Sequence, residues 1–186
     1  MRKDRNDAKP IPVILTVGHS TRELESFLDL LQEQGVEKVV DIRTIPRSRH
    51  NPQFNRETLP DHLKAAGMGY THLAGLGGLR HARRDSPNGG WRNSSFRGFA
   101  DYMQTEEFEK TLERLIQLSK RKQVVLMCAE ALPWRCHRSL VADALKIRGI
   151  AVEHIMTTKK RQTHKLTPWA HVEGTTITYP PPDVPA

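Results

Sequence analysis

The chain has 186 residues, a formal net charge of +8 and an isoelectric point near 9.8. That length points to one domain with an ordinary core, and the basic excess favours anionic partners such as phosphate, nucleotide or nucleic acid. Only two cysteines are present, Cys128 and Cys136, which excludes a dense disulfide framework, fits a reducing compartment and makes a cytoplasmic location the expectation.

In chain order, the charged stretch over residues 1–12 reads as a flexible basic N-terminus. The apolar run Ile11 to Val17 contains Pro12 and ends at Gly18-His19-Ser20. It is too short to span a membrane and lacks a small-residue cleavage site, so it reads as a first strand, with Ile14 to Val17 buried. Ser20 followed three residues later by Glu23 has the form of a capping box. The helix after it places Leu24, Phe27, Leu28 and Leu31 on one face and ends at Gly35. Val36 to Ile42 is the second strand. A basic loop from Arg43 to Arg56 follows, then a helix with Pro60 in its first turn and Gly67 at its end.

Tyr70 to Leu73 is the third strand. The Gly- and Arg-rich stretch Ala74 to Asn93 is too long for a simple connector and has the character of a functional or mobile loop. Thr105 opens the clearest helix. Glu106 and Glu107 sit in its first turn, and Phe108, Leu112, Leu115 and Ile116 form its apolar stripe. Val124 to Met127 is the fourth strand, Cys136 to Arg148 the last helix, and Ala151 to Ile155 the fifth strand. Strands alternating with helices predict a single α/β domain over residues 13–156. Its core is a mostly parallel five-stranded sheet with helices on both faces. Residues 157–186 read as a polar, Pro-rich tail, loosely packed or flexible.

In such sheets ligands bind beyond the carboxyl ends of the strands. The polar residues gathered there are His19 after the first strand, Asp41, Arg43 and Ser48 after the second, Gly77 and Gly78 after the third, and Cys128 and Glu130 after the fourth. A thiol facing a helix N-terminus meets backbone N–H groups and a positive dipole, which favours thiolate. Both cysteines are candidates on that ground, Cys136 being nearer the first turn, while a buried cysteine acting as a small hydrophobe is the bland alternative. Ser20 reads as a helix cap rather than a nucleophile.

Arg135, His137 and Arg138 crowd the start of the last helix, where basic groups oppose the dipole, so a bound anion or a pairing acid such as Asp41 or Glu130 is expected beside them. Cys128, Cys136, His137 and His19 are residue types that zinc accepts, but their spacing matches no common zinc pattern, so no metal is assigned and any cofactor is left open. The loop arginines, with Trp91 and Phe96 among them, have the composition of a nucleic-acid surface and equally of a solvated one.

Gly18-His19-Ser20, Asp41-Ile42-Arg43 with Pro46 and Ser48, Leu76-Gly77-Gly78, Cys128-Ala129-Glu130 and Cys136-His137-Arg138 occur in that order. Together they resemble the domain of unknown function 488 over about residues 13 to 155. The resemblance implies a fold and a shared site, not a reaction. A fainter similarity of layout is to rhodanese-like and cysteine-phosphatase-like domains. Here, however, six residues separate Cys128 from Arg135 where the phosphatase pattern has five, and Glu130 lies inside the loop.

Three functional readings follow. The first is an enzyme on a phosphate-bearing or nucleic-acid-related substrate, with Arg43, Arg135 and Arg138 holding the anion and Glu130 or His19 moving a proton. In it a cysteine, Cys128 or Cys136, is nucleophile or structural. The second is a non-catalytic nucleic-acid-binding module. The third is a thiol- or metal-based redox sensor. None involves a membrane, and the oligomeric state is left open.

Overall fold

The computed structural model describes residues 12–182. The expected flexible N-terminus therefore lies, apart from Pro12, outside the described residues.

The parallel strands are β1 (Val13–Gly18), β2 (Lys38–Asp41), β3 (Gly69–His72), β4 (Val124–Cys128) and β5 (Ala151–Thr157). A sixth strand, β6 (Lys160–Thr163), pairs antiparallel with β5, so the sheet has six strands in the order β3-β2-β4-β1-β5-β6. The helices are α1 (Leu24–Glu33), α2 (Leu59–Ala65), α3 (Ser94–Tyr102), α4 (Glu106–Ser119) and α5 (Arg138–Lys146).

Alternation along the strands divides the core in two. Leu15, Val17, Val39, Val125 and Met127 pack with Phe27, Leu30 and Leu31 of α1 and Leu59 and Leu63 of α2. Ile14, Val40, Val124, Leu126 and Cys128 face the other way, against α3, α4 and α5. Each fully buried Leu, Val or Phe contributes about 1.5–3 kcal/mol, and both faces of the sheet are covered in this way. Thr105 caps α4, its Oγ1 accepting from the Phe108 N–H at 3.3 Å, as the sequence predicts.

The structure departs from the sequence reading in four places. The capping box at Ser20 does not form. Glu23 precedes α1 without a side-chain cap, and Ser20 adopts a left-handed φ of 50° while its N–H bonds Ala129 O at 2.9 Å. Ser20 is thus tied to the loop beyond β4 rather than to the helix. Within the Gly- and Arg-rich stretch, a 3-10 turn covers Ala74–Leu76, and α3, which no periodicity marked, begins directly after it. The last helix starts two residues later than expected, leaving Cys136 and His137 in the turn that feeds it.

The described part of the tail, to Pro182, is not loose, and residues 183–186 lie outside the described residues. Besides β6 it forms the hairpin β7 (His171–Glu173) and β8 (Thr176–Thr178), and Tyr179 is fully buried. What holds the tail is a buried polar relay. Thr16 donates to His154 Nδ1 (2.7 Å), His154 Nε2–H to His164 Nδ1 (3.0 Å), and His164 Nε2–H to Asp143 Oδ1 (2.7 Å). The Thr167 and Tyr179 hydroxyls complete the carboxylate's shell at 2.6 and 2.8 Å. Because every member is satisfied, the relay fastens the tail to α5 and β5 at little desolvation cost.

Candidate functional site

From β1 the chain crosses by α1 on one face to β2; from β4 it crosses by α5 on the opposite face to β5. β1 and β4 are neighbours, with Gly18 opposite Cys128, so their carboxyl ends bound the crevice where the winding reverses. The loop leaving β4 passes directly over Gly18. A Cβ there would stand 1.8 Å from Glu130 O, so only glycine admits the loop. The ladder is prolonged past the sheet edge by His19 N–H to Cys128 O, at 2.9 Å.

Arg138 fixes the same loop from below. It is 1% exposed, and its guanidinium donates to the carbonyls of Glu130 and Ala131. Its Nε finds no partner, and it makes no ion pair with a carboxylate among the described residues. The acids proposed as partners from sequence are engaged elsewhere. Asp41 is fully buried and takes the Arg43 fork, Nε to Oδ1 at 2.9 Å and Nη2 to Oδ2 at 2.7 Å, together with the Tyr70 hydroxyl at 2.7 Å. Glu130 offers Arg138 its backbone carbonyl; its exposed carboxylate accepts from Leu132 N–H.

Arg43 and His19 form a second buried unit beside the pocket. Arg43 also donates to Phe54 O at 2.7 Å and, through Nη1, to His19 Nε2 at 3.3 Å. His19 Nδ1–H donates to Ser20 O, and its ring stacks on Phe54. Burial, with the Arg43 charge adding to it, lowers the His19 pKa to about 4. Both its nitrogens are occupied, and it is 2% exposed. Arg43 and His19 are thus both held by internal hydrogen bonds at the edge of the crevice.

The open feature is a cavity of about 450 Å³ lined by both cysteines, Ala129, Glu130, Arg135 and His137, with Gly78, Asn93 and Phe96 on the opposite wall. A neighbouring polar hollow of about 280 Å³ shares Arg43, Ile45, Ala129 and Glu130 with it and includes Ser48. At the cavity floor the Cys128 and Cys136 sulfurs and a His137 ring nitrogen lie within 4.8 Å of one another.

The local backbone explains how adjacent residues converge there. Cys136 is extended (φ −130°, ψ 142°) and His137 helical (φ −56°, ψ −17°), so the start of α5 turns both side chains to one point. His137 Nε2–H donates to Ile42 O at 3.3 Å, leaving Nδ1 toward Cys136 Sγ at 3.7 Å. Phe99 packs on the imidazole edge-on. Gly78 lies so close that a Cβ would stand 2.5 Å from Nδ1. Gly78 thus makes room for the His137 imidazole, and a Cβ at Gly77 would likewise strike Thr44.

The two sulfurs differ. The neighbouring Cys128 thiol lowers the Cys136 pKa well below the usual thiol value, and His137 and Arg138 add to this against the cost of burial. Closeness to Cys136, with burial, raises Cys128. The sequence offered either cysteine; His137 and the Arg138 N–H beside Cys136 Sγ favour Cys136 as the more acidic of the two. The Arg138 N–H at the helix start points to Cys136 Sγ at 3.5 Å.

Comparison with protein families matches residues 23–145, more than half of the chain, to a family described as "Domain of unknown function DUF488". The chain belongs to that family. The match contains Asp41, Arg43, Gly77, Gly78, Cys128, Glu130 and Cys136-His137-Arg138, whereas Gly18-His19-Ser20 precedes it. No curated protein and no solved structure matches the chain.

Sequence reasoning missed Arg138 as the organiser of the loop, Phe54 and Tyr70 as partners of His19 and Asp41, and Gly18 as the crossing point. Only the last has a sequence signal, a glycine at a strand end. Among the described residues, no helix is long and apolar enough to cross a membrane.

Proposed function

We propose that the chain is an enzyme acting on a phosphate-bearing or nucleic-acid-related substrate, with the strand-end cavity as its reaction centre. The observation that carries this reading is the convergence of two sulfurs and an imidazole on the floor of an open cavity at the winding reversal. Cys136 is the nucleophile. Its sulfur bonds to the substrate's electrophilic atom as the leaving group departs with its bonding pair and takes a proton from the Glu130 carboxyl on the cavity wall, which regains one from the water that attacks next. Water then releases the product and restores the sulfur. Arg135, exposed on the same wall, receives the substrate's negative charge. Two free cysteines suit a cytoplasmic setting.

The non-catalytic nucleic-acid reading has less support, because several loop arginines are already engaged. Arg47 pairs with Glu57 and Arg83 with Asp85, Arg97 bonds Trp91 O, and Arg80 lies over the Tyr102 ring. The test is a screen of nucleotides, phosphate esters and oligonucleotides for turnover and for mass adducts. Turnover that disappears with Cys136→Ser and falls with Glu130→Gln supports the reading. Full turnover in both variants removes the assignment.

A further inference from the structure

We infer that Cys128, Cys136 and His137 form a binding site for a soft divalent cation of the zinc type, with a fourth coordination position open to the cavity. The inference goes beyond the reading of that cavity as a reaction centre, since a cation there would occupy the Cys136 sulfur that the reading uses as nucleophile. The binding itself does not depend on that reading.

The argument is geometric. Zinc bonds of about 2.3 Å to sulfur and 2.0–2.1 Å to nitrogen, at tetrahedral angles, require a sulfur–nitrogen separation of about 3.5 Å and a sulfur–sulfur separation of about 3.8 Å. Cys136 Sγ and His137 Nδ1 are 3.7 Å apart, and all three donor atoms fall within 4.8 Å. Closure onto an ion thus shortens the remaining separations by at most about 1.3 Å.

The imidazole is already oriented for this. Histidine ligands usually present one nitrogen to the metal while the other donates to a carbonyl or carboxylate. Here Nε2 is held by Ile42 O, Phe99 packs on the ring, and Gly78 leaves space beside Nδ1. The donor set, two thiolates and an imidazole, suits zinc, while magnesium and calcium prefer oxygen.

Three protein ligands with an open fourth place is the pattern of reactive rather than closed structural zinc sites. The sequence spacing conceals this site because the ligands come from a strand end and a helix start brought together by the loop that Arg138 holds. His19, weighed with them from sequence, is not part of the cluster.

Charge points to what completes the shell. Two thiolates and a divalent cation are neutral together, and the buried Arg138 adds one positive charge that no carboxylate balances. The open position therefore favours hydroxide or an anionic group of the substrate over a neutral ligand.

The experiment uses the full chain, reduced and stripped of metal by a chelator, titrated with Zn²⁺ against a chromophoric competitor and with Co²⁺ by absorption. The expected result is one equivalent bound. Cobalt should show tetrahedral ligand-field bands with a thiolate charge-transfer band. Cys128→Ser, Cys136→Ser and His137→Gln should each weaken binding by about 10–100-fold or more, and Gly78→Ala, which moves the imidazole without removing it, by roughly 10-fold.

Zn²⁺ should also protect Cys136 from alkylation. Absence of stoichiometric uptake, or a cobalt spectrum without the thiolate band, overturns the inference. So does unchanged affinity in His137→Gln. A metal-free protein that is inert in the substrate screen yet binds Zn²⁺ in this way sinks the nucleophile reading and leaves the metal site standing. A catalytically active protein that ignores Zn²⁺ does the reverse.

Discussion

The two cysteines, although both almost fully buried, divide one task between them. A thiolate is the better nucleophile, and a thiol donating to it keeps it ionised. In metal-free protein Cys136 should therefore alkylate at neutral pH while Cys128 stays inert, and Cys128→Ala should shift the Cys136 profile to higher pH by removing the donor. Site-resolved mass spectrometry after timed iodoacetamide labelling reads both. Preferential labelling of Cys128 would reverse the assignment. Arg138 is the other decisive residue. Its fork satisfies two loop carbonyls that the interior would otherwise orphan, each orphan costing about 1–3 kcal/mol. Arg138→Lys keeps the charge but loses the fork, and should both lower the urea midpoint and abolish the preference for Cys136.

Two elements position the site, the loop from Ala129 to His137 and the tail. The loop lies across β1 at Gly18, where any side chain would displace it. Gly18→Ala should destabilise by several kcal/mol, on the scale of severe overpacking. Ordinary stability in that variant would mean the loop does not cross there. The tail is fastened to α5 through Asp143, the same helix whose start carries Cys136 and His137. Tyr179→Phe removes one hydrogen bond to Asp143 and should cost about 1–2 kcal/mol in denaturant unfolding. No change would show that the tail is not coupled to the core. All three tryptophans line a second cavity, of about 260 Å³, between the tail and the loop, so their fluorescence should follow tail release.

For the whole molecule, two buried imidazoles set the acid limit. Burial lowers His19 to about 4 and His154 to about 3, the latter helped by His164 and Arg138. Below the ordinary value of about 6.5 the unfolded chain takes up these two protons and the folded chain does not. Stability is therefore fully present above pH 6.5 and falls as pH drops toward 4, by up to about 1.4 kcal/mol per pH unit for each histidine. Urea midpoints at pH 7.5, 6 and 5 should decline, and His154→Gln should flatten the decline. A constant midpoint across that range would contradict the buried neutral assignment.

The sequence alone determined the α/β class, the parallel order of alternating elements and the edge at which the reactive groups gather. These follow from local periodicity and from the rule that loops at strand ends carry polar residues. Asp41-Ile42-Arg43 was legible as polar residues leaving a strand end, and α4 as a helix with acids in its first turn and an apolar stripe. The tertiary structure alone decided which charges meet. Arg43 was an anion holder by composition and became Asp41's partner by distance. Cys128 and Cys136 were equivalent in sequence, and their surroundings, with His137 and the Arg138 N–H beside Cys136, distinguish them. His137 joined them because a helix start turns it toward a strand end nine residues back. The tail's strands and α3 escaped detection because weak amphipathic segments acquire their structure from contacts distant in sequence. Local propensity does not encode such contacts.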